Sequence, residues 1–293
     1  MKPLYIVIAD FNGYEQTRRC LQAIFACKDV PFVVVLVDHG TCDETEIGLR
    51  VEFPDVFRVK GSADLWWTGA TNLGIKVALQ QGAETIMLLN NDCYVTASTL
   101  KSMLEYSNMW PEAIIAPVQR DWKSGALLAI SANSCLLLGF LTRPGPRQVD
   151  SCMPALLPVE LIIGGRGVVI TKSVFERIGL FDEQNLPHYG ADHDFYMRAR
   201  KVDINLYVAT RVLVDIDNSR TTMADQPGRL RFKEFLQTLR SIRSHRNLKD
   251  VSALFRKHYP VPHCYGIGVA LYIGRYCLVY AAKRAVFLLS GRG

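Results

Sequence analysis

Three acidic clusters in the sequence carry residue types able to do chemistry. Asn90-Asn91-Asp92 closes an apolar run and precedes Val95. A carboxylate at a strand end can reach a divalent cation (Mg2+ or Mn2+) bridging two phosphates, because such ions take hard oxygen ligands and few of them from protein. An Asn/Asp turn after a strand is equally ordinary loop chemistry. Asp38 ends another apolar run. It can accept the imide N–H of a uracil or thymine ring, or it can close an Asx-turn or cap a helix. Asp192-His193-Asp194 opens a segment carrying Phe195, Met197 and Arg198. Two carboxylates and an imidazole at a helix start can cap the helix, hold a metal, or deprotonate a hydroxyl as a general base. No second His lies at a spacing that would make His193 a convincing metal ligand.

These clusters need a scaffold, and the sequence patterning supplies one. Short runs rich in β-branched residues predict buried strands at 4–9, 32–37, 56–60 and 85–89. Helices are predicted between them: one carrying Leu21, Ile24 and Phe25, one ending near Glu52, and others at 69–81 and 96–108. Strictly alternating strands and helices mean a parallel sheet with right-handed crossovers. Asp10, Asp38 and Asp92 then gather at the carboxyl ends of the strands, the edge where open α/β sheets bind ligands. Further on, strands are expected at 114–118 and 126–130, an irregular mobile loop at 139–158, and a segment at 159–163 leading into Gly164-Gly165-Arg166-Gly167. A strand at 168–170, helices at 173–178 and 191–201, and extended stretches at 204–209 and 211–216 follow.

The chain of 293 residues is 49% hydrophobic and 21% charged, which excludes a disordered or collagen-like protein. Its eight cysteines include no CxxC pair, arguing against a zinc ribbon or thioredoxin-type site. Scattered thiols without a signal peptide predict a reducing, cytoplasmic setting. The net charge of +6 is uneven: residues 226–293 hold thirteen Lys/Arg against Glu234 and Asp250, net +11, leaving −5 on residues 1–225. The chain therefore divides into a mildly acidic body at 1–225 and a basic, amphipathic helical region at 226–293.

In that region Phe232, Phe235, Leu236, Leu239 and Ile242 follow a helical period. Residues 264–289 are mostly apolar, but Arg275, Lys283 and Arg284 interrupt them, so no spanning helix is predicted. A helical projection puts Ala270, Leu271, Cys277, Leu278, Ala281, Ala285, Leu288 and Leu289 on one side. The basic residues and Tyr272, Tyr276 and Tyr280 fall on the other, a pattern suited to a membrane interface.

Taken in order, four motifs resemble the family-2 inverting glycosyltransferases with a GT-A fold, over about residues 3–218. They are Ile6-Val7-Ile8-Ala9-Asp10-Phe11-Asn12-Gly13; Val37-Asp38-His39-Gly40-Thr41-Cys42-Asp43; Leu88-Leu89-Asn90-Asn91-Asp92, resembling a variant DxD motif; and Phe181-Asp182-Glu183 followed by Gly190-Ala191-Asp192-His193-Asp194-Phe195 and Arg198. Each alone is common; four in order are specific. The resemblance implies a nucleotide-sugar donor, UDP- or dTDP-linked, contacted by Ala9, Phe11, Asn12, Asp38, Trp67, Gly69, Asn72, Asn90, Asn91 and Gly165. Asp38 would read the nucleobase, and Gly69, Asn72 and Gly74 match a "G-x-x-N-x-G" helix start beside the donor. Asp92 would hold the cation, and Asp192 would be the catalytic base. The resemblance also implies a saccharide acceptor, lipid-linked, in surface-polysaccharide synthesis such as O-antigen or capsule. The Trp66-Trp67 pair resembles a subgroup of rhamnosyl- and related deoxysugar transferases.

The chain departs from that pattern in two places. Ala191 stands where an acid usually precedes the base, so Asp194 is expected to share the charge role. Val214-Asp215-Ile216-Asp217 occupies the stretch where a His ligand is common, so Asp215 is expected to substitute at the metal. Two other functions remain open: a non-catalytic nucleotide-sugar-binding subunit, and a sugar-1-phosphate nucleotidyltransferase, whose Gly-rich basic loop is not found at Asp10–Tyr14. The basic region is expected to hold the enzyme peripherally on the inner face of the cytoplasmic membrane, each Lys or Arg contributing about 1 kcal/mol near an anionic surface. Packing of the region on the body is the competing reading. No nucleic-acid partner is expected, and a homo-oligomer is left open.

Overall fold

β1 (Leu4–Asp10) alternates its side chains between two hydrophobic cores, as the period of two in a strand requires. Ile6 and Ile8 enter one core with Leu36 and Met87; Tyr5 and Val7 enter the other with Val35 and Leu88. Burial on both faces explains why the sequence shows a continuous apolar run rather than alternation. The computed structural model describes residues 2–128, 132–144, 148–150, 152–218 and 227–290.

β1 pairs in parallel with β2 (Phe32–Asp38) and with β4 (Thr85–Asn90), and β3 (Phe57–Lys60) extends the sheet beyond β2. β10 (Val168–Thr171) enters antiparallel between β4 and β6 (Ile114–Asp121). β11 (Leu206–Ile216) runs parallel to β6 and carries the short antiparallel strands β5 (Cys93–Tyr94) and β9 (Leu156–Pro158). The result is one mostly parallel nine-stranded sheet in a mixed α/β fold. Helices α1 (Tyr14–Phe25), α2 (Glu44–Glu52) and α4 (Ala97–Met109) cover one face. α3 (Trp66–Gln80), α5 (Lys172–Ile178) and α6 (Ala191–Lys201) cover the other.

Several expectations are corrected. α3 starts at Trp66 rather than residue 69; the positive φ of 51° at Trp66 breaks the chain from the preceding turn, Ala63–Leu65, where the helix begins. The strand expected at 126–130 is an isolated bridge, Leu127 to Arg120, over its described part; residues 129 and 130 lie outside the described residues. The expected loop at 139–158 contains β8 (Leu141–Pro144), paired with β7 (Ala132–Cys135), and also β9. The two extended stretches at 204–216 are one strand whose register shifts between Ala209 and Leu213.

The C-terminal region forms α7 (Phe232–Thr238), α8 (Leu248–His258) and α9 (Tyr265–Leu289). The expected boundary at 225/226 lies outside the described residues. α9 packs through its tyrosine-bearing face. Tyr272, Tyr276 and Tyr280 are buried, packing on Phe235 and Phe255. Arg275 donates to the carbonyls of Leu138 and Gly139, and Arg284 to that of Gly228. The polar face turns inward because tyrosine hydroxyls and guanidinium groups find partners there. The apolar face is left outside, with Leu271, Leu278, Val286 and Leu289 exposed. By length and composition alone, an 18-residue window of this 25-residue helix is apolar enough to cross a membrane.

Candidate active site

The carboxyl edge of the parallel strands brings Asp10, Asp38 and Asp92 together, and each is differently engaged. Asp10 is fully buried and accepts from Thr17 Oγ1 and Thr45 Oγ1 at 2.5 Å each, tying α1 and α2 to the strand end. Asn91 Nδ2 donates to Asp10 Oδ1 at 3.1 Å and to Thr17 Oγ1 at 3.0 Å. Asn91 thus anchors the turn that presents Asp92. Among the described residues, the Asp92 carboxylate accepts from the Cys93 thiol, at 3.4 Å, and its backbone carbonyl from Asp217 N, at 2.8 Å.

Asp38 is fully buried and carries two cations: Arg58 at 3.0 Å and Lys60 at 3.2 Å, both from β3. Ala9 is the half-buried residue of β1, next to Asp10. Phe11 is exposed and its ring lies 5.2 Å from that of His39. Asn12, at φ 52°, accepts from Thr41 N at 2.9 Å and donates to Thr41 Oγ1, clasping the loop after β2. A Cβ on Gly40 would stand 2.4 Å from Asn12 Oδ1, so this clasp requires glycine at position 40. Burial lowers the pKa of His39, and lowers that of His188 to about 4. Both rings are therefore neutral near pH 7.

The tryptophan pair splits across the cleft. Trp66 packs on His188, 5.6 Å between ring centroids, whereas Trp67 donates from Nε1 to Asn90 Oδ1 at 3.1 Å. A Cβ on Gly165 would meet the Trp67 ring at 3.1 Å, so Gly165 lets that ring approach the loop closely. Asn72 is buried and spans Phe181 N, Phe181 O and Glu183 Oε2. Its amide is spent on the Phe181–Glu183 turn, and Gly69 faces Leu65 and Glu183. These two matched positions brace the site from behind.

α6 divides the acidic pair. Asp192, at the helix start, accepts from His193 N at 2.9 Å and lines a cavity of about 430 Å³. Asp194, two residues on, points the opposite way and is fully buried. Its carboxylate meets Arg198 at 2.9 Å, Lys257 at 2.7 Å and His258 at 2.8 Å. Burial alone would raise its pKa, but His258, Lys257 and Arg198 together hold it well below the usual carboxylate range. The expected charge role for Asp194 at the reacting centre is corrected: its oxygens are consumed in fastening α8 to α6. Asp215 is corrected likewise, because Arg120 engages both its oxygens, at 2.6 and 2.9 Å. Among the described residues, no group of three or more His, Cys, Asp or Glu is placed to hold a metal ion.

Sequence reasoning passed over Arg58, Lys60, His188 and the far wall of the Asp192 cavity. That wall comes from the C-terminal region: His245, Arg246, Asp250, Leu254, Phe255, Tyr272 and Arg275. Asp250 is buried, with Oδ2 unpartnered among the described residues, and burial raises its pKa to about 6. The signal available in the sequence was the basic, helical character of residues 226–293, whose packing on the body was the competing reading.

No protein-family model matches the chain. Uncharacterized proteins of Mycobacterium bovis and Mycobacterium tuberculosis are 22% identical over 215 residues, covering 72% of this chain and 73% of theirs. Among solved structures, S. aureus TarS residues 1–349 superposes with a TM-score of 0.53 at 12% identity. Its complex with UDP superposes with a TM-score of 0.54 at 14% identity, over 94% of this chain and 72% of that one. Its complex with UDP-GlcNAc gives 0.50 at 13%. The likeness shows that the chain shares the fold of TarS.

Proposed function

We propose that the protein is an inverting glycosyltransferase, moving a sugar from a nucleoside-diphosphate donor to an acceptor hydroxyl. The observation that carries this reading is the placement of Asp192. It opens α6 at the wall of a cavity of about 430 Å³, within the size range of small-ligand sites, and is bound only through His193 N among the described residues. The binding of UDP and UDP-GlcNAc by TarS, which shares the fold, supports a nucleotide-sugar donor. The uracil- or thymine-reading role of Asp38 and the deoxysugar preference belong to the same proposal.

In this mechanism the donor lies along the carboxyl edge of β1, β2 and β4, over Phe11 and the Asn12 clasp. Trp67 and the Gly165 turn hold its sugar. Asp192 takes the proton of the acceptor hydroxyl as that oxygen bonds to the anomeric carbon. The bond from that carbon to the diphosphate oxygen breaks on the opposite face, inverting the configuration. Asp92 is the residue that fits a divalent cation: its carboxylate stands at the strand end with the Cys93 thiol as its hydrogen-bonding partner among the described residues, and such cations commonly take one protein carboxylate plus substrate phosphates. The cation would neutralise charge on the departing diphosphate.

The test is nucleoside-diphosphate release from UDP-, dTDP- and GDP-sugars with Mn2+, Mg2+ or EDTA, with a membrane extract as acceptor source. Release from one donor that collapses in Asp192→Asn supports the transferase. Donor binding without release, in the presence of that extract, would favour a non-catalytic binding subunit.

A further inference from the structure

The turn Gly164-Gly165-Arg166-Gly167 leads into β10 at the carboxyl end of β4 and is pinned on both sides of Arg166. Gly164 and Gly167 take positive φ values of 75° and 78°, a backbone conformation that favours glycine. The Gly164 carbonyl accepts from Tyr196 Oη at 2.8 Å, and Gly167 N donates to the Leu88 carbonyl at 2.8 Å. A Cβ on Gly167 would stand 2.9 Å from Pro117 Cγ, as Gly165 is crowded by Trp67. The backbone is thus fixed, and Arg166 is the side chain it projects.

Arg166 is half-buried. Its hydrogen bond among the described residues is a long one, 3.4 Å from Nη1 to Gln119 Oε1, and it makes no ion pair among them. Gln119 is itself held, donating from Nε2 to the Ile163 carbonyl at 2.5 Å. By contrast, Arg58 and Lys60 are engaged by Asp38, and Arg120 by Asp215. A partly desolvated guanidinium with no carboxylate beside it favours an anion.

The surroundings place that anion. Arg166 lies within electrostatic reach of Cys93 and Tyr189, opposing at both the rise in pKa that burial imposes. Cys93 follows Asp92 at the strand end, and Tyr189 lines the cavity of Asp192. The guanidinium therefore stands between the carboxylate fitted to a cation and the candidate base. A departing nucleoside diphosphate carries more negative charge than one divalent cation neutralises, so a further positive group is needed there.

We infer that Arg166 is a catalytic residue that grips the departing diphosphate. As the bond from the anomeric carbon to the diphosphate oxygen breaks, the electron pair stays on that oxygen; the guanidinium donates hydrogen bonds to the phosphate and gives up no proton. Its planar fork matches phosphate oxygens, and preorganised donors count most where charge develops. The assignment rests on the transferase reading, so nucleotide binding and turnover are measured separately.

The test uses the full chain with Mn2+. UDP, dTDP and GDP, each beside its own nucleoside, are titrated calorimetrically, and kcat is read from nucleoside-diphosphate release. Arg166→Gln should weaken the diphosphate that wild type binds by about tenfold to a hundredfold, the cost of losing charge-assisted hydrogen bonds, and leave nucleoside affinity unchanged. Its kcat should fall by roughly 10²–10³-fold, as on removal of a donor aimed at developing charge. The thermal midpoint should hold, because the side chain has one long hydrogen bond to lose. Arg166→Ala should regain part of its kcat on addition of millimolar guanidinium, whereas a residue that merely braced the turn would not be rescued. Wild type that binds no nucleoside diphosphate would overturn the transferase reading, and this assignment with it. Wild type that binds and releases one, beside an Arg166→Gln of unchanged affinity and kcat, would overturn the assignment alone. Equal losses for diphosphate and nucleoside would do the same, since Arg166 would then shape the base pocket.

Discussion

Asp194 Oδ1 lies 2.8 Å from His258 Nε2, joining α6, which begins at the candidate base, to the end of α8. With Lys257 at 2.7 Å on the same oxygen, this contact makes the basic C-terminal region a wall of the site. Removing one partner of a buried charge cluster strands the others, at a cost of about 3–5 kcal/mol. Asp194→Ala is therefore expected to lower the thermal midpoint clearly. Its depressed pKa also sets a pH sign: the stabilisation is present above the ordinary carboxylate range and is lost as pH falls through it towards the folded value. The wild type should lose stability on acidification, and Asp194→Ala should show a smaller slope in the same melts.

Asp192→Asn should behave in the opposite way. Its hydrogen bond is a local one from His193 N, so the melting temperature should hardly move. Turnover should fall by roughly 10²–10⁴-fold, the usual contribution of a general base. An Asn variant with wild-type turnover would exclude the role.

Asp92→Ala and Asp215→Ala separate a ligand from a strut. Asp92→Ala should weaken donor binding in Mn2+ or Mg2+ and remove the metal dependence of that binding. Asp215→Ala frees Arg120 and should lower stability while leaving metal dependence in place. Donor affinity indifferent to EDTA in the wild type would exclude Asp92 as a ligand.

Asp250 carries the reverse linkage to Asp194. Burial raises its pKa to about 6, so the fold prefers the neutral acid. Stability should therefore decline as pH rises from the ordinary carboxylate range to about 6. Asp250→Asn should remove that decline and stabilise the protein by about 1–2 kcal/mol at neutral pH, read by denaturant melts at several pH values.

Gly40→Ala tests the loop clasp. The new Cβ would stand 2.4 Å from Asn12 Oδ1, so Asn12 must release Thr41. Stability should fall by about 1–3 kcal/mol, as in other overpacked sites. Donor affinity should fall with it if this loop covers the nucleotide.

The buried strands were legible because burial on both faces leaves an unmistakable apolar run, as in Phe32–Asp38. The acids at their ends were legible for the same reason, since a strand that ends in Asp38 or before Asp92 leaves that carboxylate at the sheet edge. β9 was not legible: Leu156–Pro158 is three residues long, and only its pairing with β11 makes it a strand. The separate tasks of Asp192 and Asp194 were hidden too. Two residues apart on a helix turns side chains by about 200°, so one faces the cavity and the other the buried side.

Local patterning alone thus determined the alternating strand-and-helix body, the carboxylate edge, and the helical, basic character of the C-terminal region. Tertiary structure decided which charges are free to act. Asp215 and Asp194 look like Asp92 and Asp192 in sequence, but Arg120 and the Lys257–His258 pair neutralise them from 95 and more than 60 residues away. The inward turn of the α9 tyrosines was decided in the same way. A helical projection identifies two faces, but which face is buried depends on the partners waiting for it, here Phe235, Phe255 and Arg246.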